Sequence, residues 1–385
     1  MYLETKNKQR ESGIEFLKII GILLVVLSHV TQTLYEPLPG MDASDCLMNL
    51  GASTTDIRQI ILTAFSYAGV LGNSIFFSCT AWFLLESRKS SKEKILQFLS
   101  DAWIISVAVL AAFLIFGNRG QLTGGQILRC ILPTTFANNW YLTCYLLFYL
   151  LHPWLNAIIE KMDNRKLLRS MLLLSGLYIL MNFVFGAFFE PVFFTSTLIL
   201  WIAVYFIIAY MKNYLPETSS NVGKQIVLFL IGFIGNFILI LLTDFTGLKF
   251  SFLKDSLRMW AMNCNPFLIL AAISAMNLAR TIKLKNSLIN RIASLSLLIY
   301  IIHENLLLRM YVRPRIFLWI IDKFGYNDIL LWVILLAILI FSVSAIAAFL
   351  YQVTIENLLK KLIKRSYPKL FGLFHKFEDR AIRLH

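Results

Sequence analysis

Apolar residues recur along this chain in stretches of about 20, separated by short polar segments. A helix of that length spans the hydrocarbon core of a bilayer. In the second stretch, glycines and serines among the apolar residues predict a kinked or partly re-entrant segment. The whole pattern predicts an all-α, polytopic membrane protein with about ten transmembrane helices, over residues 14–36, 59–86, 95–117, 137–159, 168–188, 191–211, 225–243, 257–279, 288–308 and 327–351.

The composition agrees with this pattern, since 58% of the residues are hydrophobic and only 15% are charged. The net charge of +14 does not indicate nucleic-acid binding, because Lys and Arg lie in short clusters rather than in one domain or stripe. The five cysteines show no CxxC spacing and the histidines are scattered. We therefore predict neither a metal site nor a permanently bound cofactor.

The clusters of Lys and Arg also predict how the chain crosses the membrane. An N-terminus on the cytoplasmic side places four further basic segments on that side: 88–94, 160–169, 279–291 and 360–365. Ten spans leave both termini cytoplasmic. Residues 1–385 then form one membrane domain, whose basic amphipathic tail, 352–385, lies on anionic lipid headgroups. One basic segment, RMYVRPR at 309–315, is assigned to the outer side against this rule, either as a structural element or as a contact for an anionic acceptor.

The first predicted span contains three ionisable residues, Glu15, Lys18 and His29. Ionisable groups in a membrane span are costly, so each is a candidate for function. Lys18 and His29 differ by roughly 20° around a helix and Glu15 lies about 60° from Lys18, so all three share one face. Glu15 and Lys18 either reach the inner headgroups or belong to a site. His29 lies roughly 16 Å further along the axis, too deep to reach the interface.

A second polar cluster, His303-Glu304-Asn305, lies near the outer end of the predicted ninth span. We expect His303 and Glu304 to have a functional role. Trp140 and Tyr141, at the outer end of the fourth span, fit either an aromatic belt at the membrane interface or a substrate site.

The segment SGIEFLKIIGILLVVLSHV, residues 12–30, resembles the first-helix signature of the acyltransferase type 3 family of integral-membrane acyltransferases. That signature has a basic residue, ten intervening residues and a histidine, which Lys18 and His29 match. A carboxylate a few residues earlier matches as Glu15.

Three further segments resemble motifs of the same family: SIFFSCTAWFLLESRKSSKEK at 74–94, NNWYLTCYLLFYLLHPWLN at 138–156 and SLLIYIIHENLLLR at 296–309. Together they extend over most of the chain in the family's order. One departure is the pair Thr80-Ala81, where the family has Ser-Gly. Thr80 retains a hydroxyl, while Ala81 removes the close backbone approach that glycine permits.

The resemblance implies O-acylation, most often O-acetylation, of a carbohydrate by cytoplasmic acyl-CoA, in a multi-pass protein of the bacterial plasma membrane. His29 is then the general base or a transient acyl carrier, and Lys18, oriented by Glu15, binds the phosphates of the donor. The remaining assignments are Arg88, Lys89 and Thr80 for the donor, acetyl-CoA, and His303, Glu304, Asn305, Trp140 and Tyr141 for the acceptor, a polysaccharide or lipid-linked glycan.

Two other classes of membrane protein stay open at this point. A transporter or flippase of lipid-linked glycan is typically built from inverted repeats with paired broken helices, and the sequence shows no such symmetry. A membrane-embedded glycan polymerase favours long outer loops rich in Arg and His, whereas the predicted outer loops are short apart from 38–58.

Overall fold

The structure, a computed structural model, describes residues 11–36, 47, 57–87, 89–117, 122–136, 138–184, 197–215, 221–246 and 264–365. These residues contain helices and no strand, which confirms the all-α prediction for this part of the chain. The helices are α1 (Ser12–Gln32), α2 (Ile57–Leu84), α3 (Lys92–Phe116), α4 (Gly124–Ile131), α5 (Trp140–Ile159), α6 (Asn164–Ile179), α7 (Thr197–Tyr214), α8 (Val222–Thr246), α9 (Pro266–Thr281), α10 (Ser287–Ser294), α11 (Ser296–His303), α12 (Arg313–Phe324) and α13 (Ile329–Tyr351).

Within the described ranges, seven helices are long and apolar enough to cross a membrane: α1, α2, α3, α5, Asn164–Phe183, Val222–Leu242 and Ile329–Arg365. Two shorter apolar helices, Leu198–Tyr214 and Pro266–Thr281, accompany them. A multi-pass membrane protein is therefore supported. The total of ten spans and the cytoplasmic position of both termini stay predictions.

Two predicted spans differ in form from the expectation. The second is one uninterrupted helix of 28 residues, not a re-entrant segment. The ninth, predicted over 288–308, is instead two short helices, α10 and α11, that meet at Leu295 and end at His303. The chain then turns, because the side-chain oxygen of Asn305 accepts the amide of Leu307 at 3.1 Å in place of a continuing helix.

The glycines of α2 serve close packing against α1. A Cβ on Gly72 would lie 2.6 Å from the carbonyl oxygen of Gly21, and one on Gly69 would lie 2.6 Å from Ser28 Oγ. Small residues at such positions let two membrane helices approach closely. Ser28 also donates a hydrogen bond to the Ser66 carbonyl of α2, which fixes the part of α1 next to His29.

His152 has a local structural role in α5. Pro153 has no backbone N–H, so the carbonyl of Tyr149, four residues earlier, lacks its usual helical donor. His152 Nδ1 donates to that carbonyl at 2.6 Å, and the side chain is fully buried. This contact explains how a helix with an internal proline retains its hydrogen bonding.

Candidate active site

His29 lies in direct contact with the second polar cluster. His29 Nδ1 is 2.8 Å from Glu304 Oε2 and 3.0 Å from His303 Nε2. The imidazole rings of the two histidines are stacked, with centroids 5.3 Å apart. The sequence assigned His303 and Glu304 to the acceptor, which stays a prediction, and the structure shows that both contact His29.

The hydrogen bonds around these three residues define which nitrogen of His29 carries the proton. His303 Nδ1 donates to the carbonyl of Ile299 at 2.8 Å, so His303 Nε2 is an acceptor in the neutral ring. A carboxylate oxygen is also an acceptor. Both partners of His29 Nδ1 therefore accept, and His29 Nδ1 must donate. The lone pair of His29 consequently resides on Nε2, the atom that a general base needs.

Arg313 stabilises this arrangement through hydrogen bonds to all three residues. Arg313 was not predicted from the sequence as part of the site. Its guanidinium donates to the carbonyls of His29 and His303, both at 2.9 Å, and to Glu304 Oε2 at 3.0 Å. Its side chain is only 4% exposed. The signal in the sequence was the i, i+4 pair Arg309 and Arg313 that follows a membrane-embedded glutamate.

Arg309 contacts the other oxygen of the same carboxylate. Its Nη1 lies 3.1 Å from Glu304 Oε1, and its Nη2 lies 2.6 Å from Glu36 Oε1. Burial works against its charge, but the carboxylates of Glu304 and Glu36 raise the pKa of Arg309 above its ordinary value. The first two arginines of RMYVRPR thus pair with carboxylates of this chain, which favours the structural interpretation of that segment.

His29, His303 and Glu304 also resemble a ligand set for a metal ion, since one ligand atom of each lies within 4.8 Å of the others. The charges around Glu304 argue against this interpretation. Two arginines already donate to its two oxygens, and they would repel a divalent cation at the same carboxylate. The three side chains therefore fit a hydrogen-bonded triad better than a metal centre.

Lys18 of α1 lies at a separate cavity of about 660 Å³. Lys18 lines it together with Thr80 of α2 and Lys94 of α3. Lys18 Nζ lies 3.9 Å from Glu15 Oε2, the i, i+3 pair that the sequence predicts. The Thr80 hydroxyl donates to the Phe76 carbonyl at 3.0 Å.

The structure describes one of the two basic residues that were predicted for the donor, Lys89, and does not bring it to this cavity. The described residues that line it do not include Lys89, which is exposed. Arg88 lies outside the described residues.

A second cavity, of about 520 Å³, lies next to the triad, because Glu304 forms part of its wall. Trp140 and Phe136 line it with exposed rings, and Arg129, Glu36 and Arg309 supply charge. The Trp140 prediction therefore agrees with a position at a pocket. Asn305 is buried and its oxygen caps the turn at Leu307, so its contact is structural.

Tyr141 is buried between the two cavities rather than placed in an aromatic belt. Its ring packs edge-on against Phe76 of the first cavity, with centroids 5.4 Å apart, and tilted against Tyr300, which in turn contacts His303. Within the described part of the chain its hydroxyl has no hydrogen-bond partner. A buried hydroxyl without a partner is costly and calls for an explanation.

The fold and the site define a multi-pass helical membrane protein with a buried His–Glu pair and two cavities that have charged residues in their walls. A family model described as an acyltransferase domain matches residues 11–350 of the 385-residue chain. The chain therefore belongs to the acyltransferase type 3 family and is a membrane acyltransferase. Comparisons with curated proteins and with solved structures found no match.

Proposed function

We propose that this protein transfers an acyl group, most simply acetyl, from acyl-CoA to a hydroxyl of a cell-surface or lipid-linked carbohydrate at the bacterial plasma membrane. The observation that carries this proposal is the tautomer of His29. In a chain that belongs to an acyltransferase family, Glu304 and His303 both accept from Nδ1–H and leave a basic lone pair on Nε2. This is the arrangement of a general base with an orienting carboxylate.

In the direct route, His29 Nε2 removes the proton of the acceptor hydroxyl while the oxygen attacks the thioester carbonyl. The carbon–sulfur bond then breaks, and the departing sulfur takes the proton from His29 Nε2–H to give the free thiol of CoA. Glu304 stabilises the imidazolium that exists between these two proton transfers, since its carboxylate lies 2.8 Å from Nδ1. Proton and charge balance without any further reactant.

In the second route, His29 Nε2 itself attacks the thioester carbonyl and expels the CoA thiolate, which leaves a transient acyl-imidazolium. The acceptor hydroxyl then attacks this acyl group and releases neutral His29, and the hydroxyl proton neutralises the CoA thiolate. The same lone pair serves both routes. Incubation with radiolabelled acetyl-CoA in the absence of acceptor distinguishes them. Label that remains on the chain and disappears in His29→Ala identifies the carrier route, and an unlabelled chain identifies the direct route.

The donor enters this scheme through the cavity lined by Lys18. A lysine at that position suits the phosphates of CoA, and Glu15 orients its ammonium. Lys18 and His29 are roughly 16 Å apart along the helix axis, a separation that an extended pantetheine arm spans. The acyl thioester then reaches His29 past Phe76 and Tyr141, the ring pair between the cavity and the triad.

Tyr141 then supplies the second chemical element of acyl transfer, a donor to the developing oxyanion. Its buried hydroxyl lacks a partner among the described residues, so it is available to a charge that exists only in the transition state. The packing of its ring against Phe76, which lines the donor cavity, and against Tyr300, which contacts His303, supports this role. This role replaces the acceptor contact that the sequence suggested for Tyr141.

The acceptor enters through the second cavity. Exposed aromatic rings such as Trp140 and Phe136 suit the apolar faces of sugars, and the charged groups beside them suit hydroxyls. Glu304 belongs both to the wall of this cavity and to the triad. A hydroxyl bound there therefore lies next to the base.

The test is acetyl transfer by the full chain in lipid nanodiscs or in membranes of expressing cells, with release of free CoA thiol and label on glycan as the two readouts. The wild type should release thiol and label glycan, His29→Ala should do neither at equal expression, and Lys18→Ala should raise the KM for acetyl-CoA. Glycan labelling that persists in His29→Ala contradicts the catalytic assignment. Movement of glycan across the membrane with no consumption of acetyl-CoA would show that the protein acts as a flippase.

A further inference from the structure

The cavity of Lys18 receives a contribution from the C-terminal end of the chain. Helix α13 continues through a π-helical segment, Gln352–Glu356, and the long helix reaches Arg365. Gln352, Glu356, Lys360, Ile363 and Lys364 all line the cavity. The match to the acyltransferase family ends at residue 350, so this part of the wall lies beyond the family match.

The extension is fixed to α3 by buried polar contacts. The Tyr351 hydroxyl donates to Asp101 Oδ1 at 2.7 Å, and the Gln97 amide donates to Glu356. Glu356 is itself buried, and Lys360 Nζ lies 2.7 Å from its Oε1. These contacts hold residues 352–365 in place against the cavity. A helix that lies loosely on lipid headgroups does not need such contacts.

The charge of the cavity wall favours an anion. Among the described residues that line it, four are lysines, Lys18, Lys94, Lys360 and Lys364, and two are carboxylates, Glu93 and Glu356. Glu356 is already engaged by Lys360 and Gln97. Like charges brought together around a partly buried cavity repel each other unless a ligand carries the opposite charge.

The volume and the aromatic residues of the wall agree with a ligand of cofactor size. A cavity of about 660 Å³ lies within the usual range for small-molecule sites. Phe76, Phe98 and Tyr145 supply aromatic surface between the lysines, and Lys94 Nζ lies over the Phe98 ring at 5.5 Å. Aromatic rings can stack on the flat base of a nucleotide, and lysines can bind its phosphates, so this wall suits a nucleotide-containing ligand.

We infer that residues 352–365 complete the donor pocket and that Lys360 and Lys364 bind the phosphate groups at the nucleotide end of the acyl-CoA donor. This inference rests on the proposed function and adds to it a segment beyond the family match. Anionic lipid headgroups present the same chemistry to these lysines, so the experiment must distinguish the two sources of phosphate.

The experiment compares Lys364→Gln and Lys360→Gln with wild type, in the full chain, using acetyl-CoA and acetyl-pantetheine as donors. Acetyl-pantetheine has the thioester but lacks the nucleotide phosphates. We expect each variant to raise the KM for acetyl-CoA about tenfold, the size of one charge-assisted contact. The KM for acetyl-pantetheine should change less than about twofold, because that donor does not reach these lysines.

Lys361→Gln is the matched control, since Lys361 is an exposed lysine of the same helix and is not among the described residues that line the cavity. It should leave both KM values unchanged. Every measurement is made twice, in nanodiscs of phosphatidylcholine alone and of phosphatidylcholine with phosphatidylglycerol. The donor role requires the same shift in both.

Four results would overturn the inference while leaving the proposed function intact: an equal rise of KM for both donors, a shift seen only with phosphatidylglycerol, an equal effect of Lys361→Gln, or an unchanged KM in both cavity variants. A wild type that consumes neither donor would instead overturn the proposed function, and this inference with it.

Discussion

His29 Nδ1 lies 2.8 Å from Glu304 Oε2, so the first membrane helix and the turn after α11 share one buried polar contact. Because Arg313 donates both to this carboxylate and to the backbone carbonyl of His29, the contact is held from two sides. A pair of side chains whose positions are fixed by further hydrogen bonds is typical of a site whose function depends on the geometry of that pair.

The first prediction concerns Glu304→Gln, which retains the size of the side chain. The amide oxygen retains the position of Oε2, which faces both His29 Nδ1 and the buried Arg313, and the NH2 replaces Oε1, from which the more exposed Arg309 can turn away. The neutral amide no longer stabilises the imidazolium that forms when His29 takes the proton of the acceptor. We expect kcat to fall about 100-fold or more at an unchanged KM for acetyl-CoA, measured by thiol release.

A double variant controls for indirect effects of this change. If Glu304 acts through His29, adding Glu304→Gln to His29→Ala should cost nothing further, because residues that act as one unit are not additive. Two independent, multiplicative losses would contradict the pairing. Size-exclusion profiles of all three variants should match wild type.

The second prediction concerns Tyr141→Phe, which removes only the buried hydroxyl and retains the ring. Loss of a donor to the oxyanion typically costs about 100- to 1,000-fold in kcat. The KM for either substrate should change little, because the contact forms only in the transition state. A variant with wild-type kcat would show that the hydroxyl has no role in the chemical step.

The third prediction compares two arginines on the same carboxylate. Arg313 is buried, and Arg313→Met leaves Glu304 and two backbone carbonyls short of a donor. We expect a loss of about 3 to 5 kcal/mol in stability. Arg309 is 41% exposed, and Arg309→Met should cost less than about 1 kcal/mol because solvent screens that pair.

Thermal unfolding in the same detergent ranks the two arginine variants. Equal melting temperatures, or a lower one for Arg309→Met, would show that burial does not control the contribution of these pairs.

The fourth prediction tests the close packing of α1 and α2. A methyl group on Gly72 would lie 2.6 Å from the Gly21 carbonyl oxygen, which is backbone and cannot easily move. Gly72→Ala should therefore destabilise the protein by about 1 to 3 kcal/mol. Gly176 of α6 has open space around the same position, so Gly176→Ala should be neutral or slightly stabilising. Similar melting temperatures for the two variants would contradict this packing.

The fifth prediction concerns metal. Since two arginines occupy the carboxylate of the triad, we expect dialysis against a strong chelator to leave acetyl transfer unchanged, and added zinc to produce no gain. Activity that is lost on chelation and restored by zinc would show that His29, His303 and Glu304 form a metal centre.

The sequence by itself determined the helical membrane class, because apolar stretches of membrane length leave no other way to satisfy the backbone. It also determined the shared face of Glu15, Lys18 and His29, since helical periodicity places residues on one side without any knowledge of neighbours. The same periodicity predicted a continuous helix over 288–308, where the structure has two short helices and a turn. Competing polar contacts at Asn305 decided that difference.

Only the tertiary structure decided which residues meet. The contact of His29 with His303 and Glu304, the role of Arg313 and the position of Lys360 and Lys364 at the cavity of Lys18 all join residues far apart in the chain. Local patterns contain no information on such pairs, because the energy that selects them comes from packing and from the need to satisfy buried charges together.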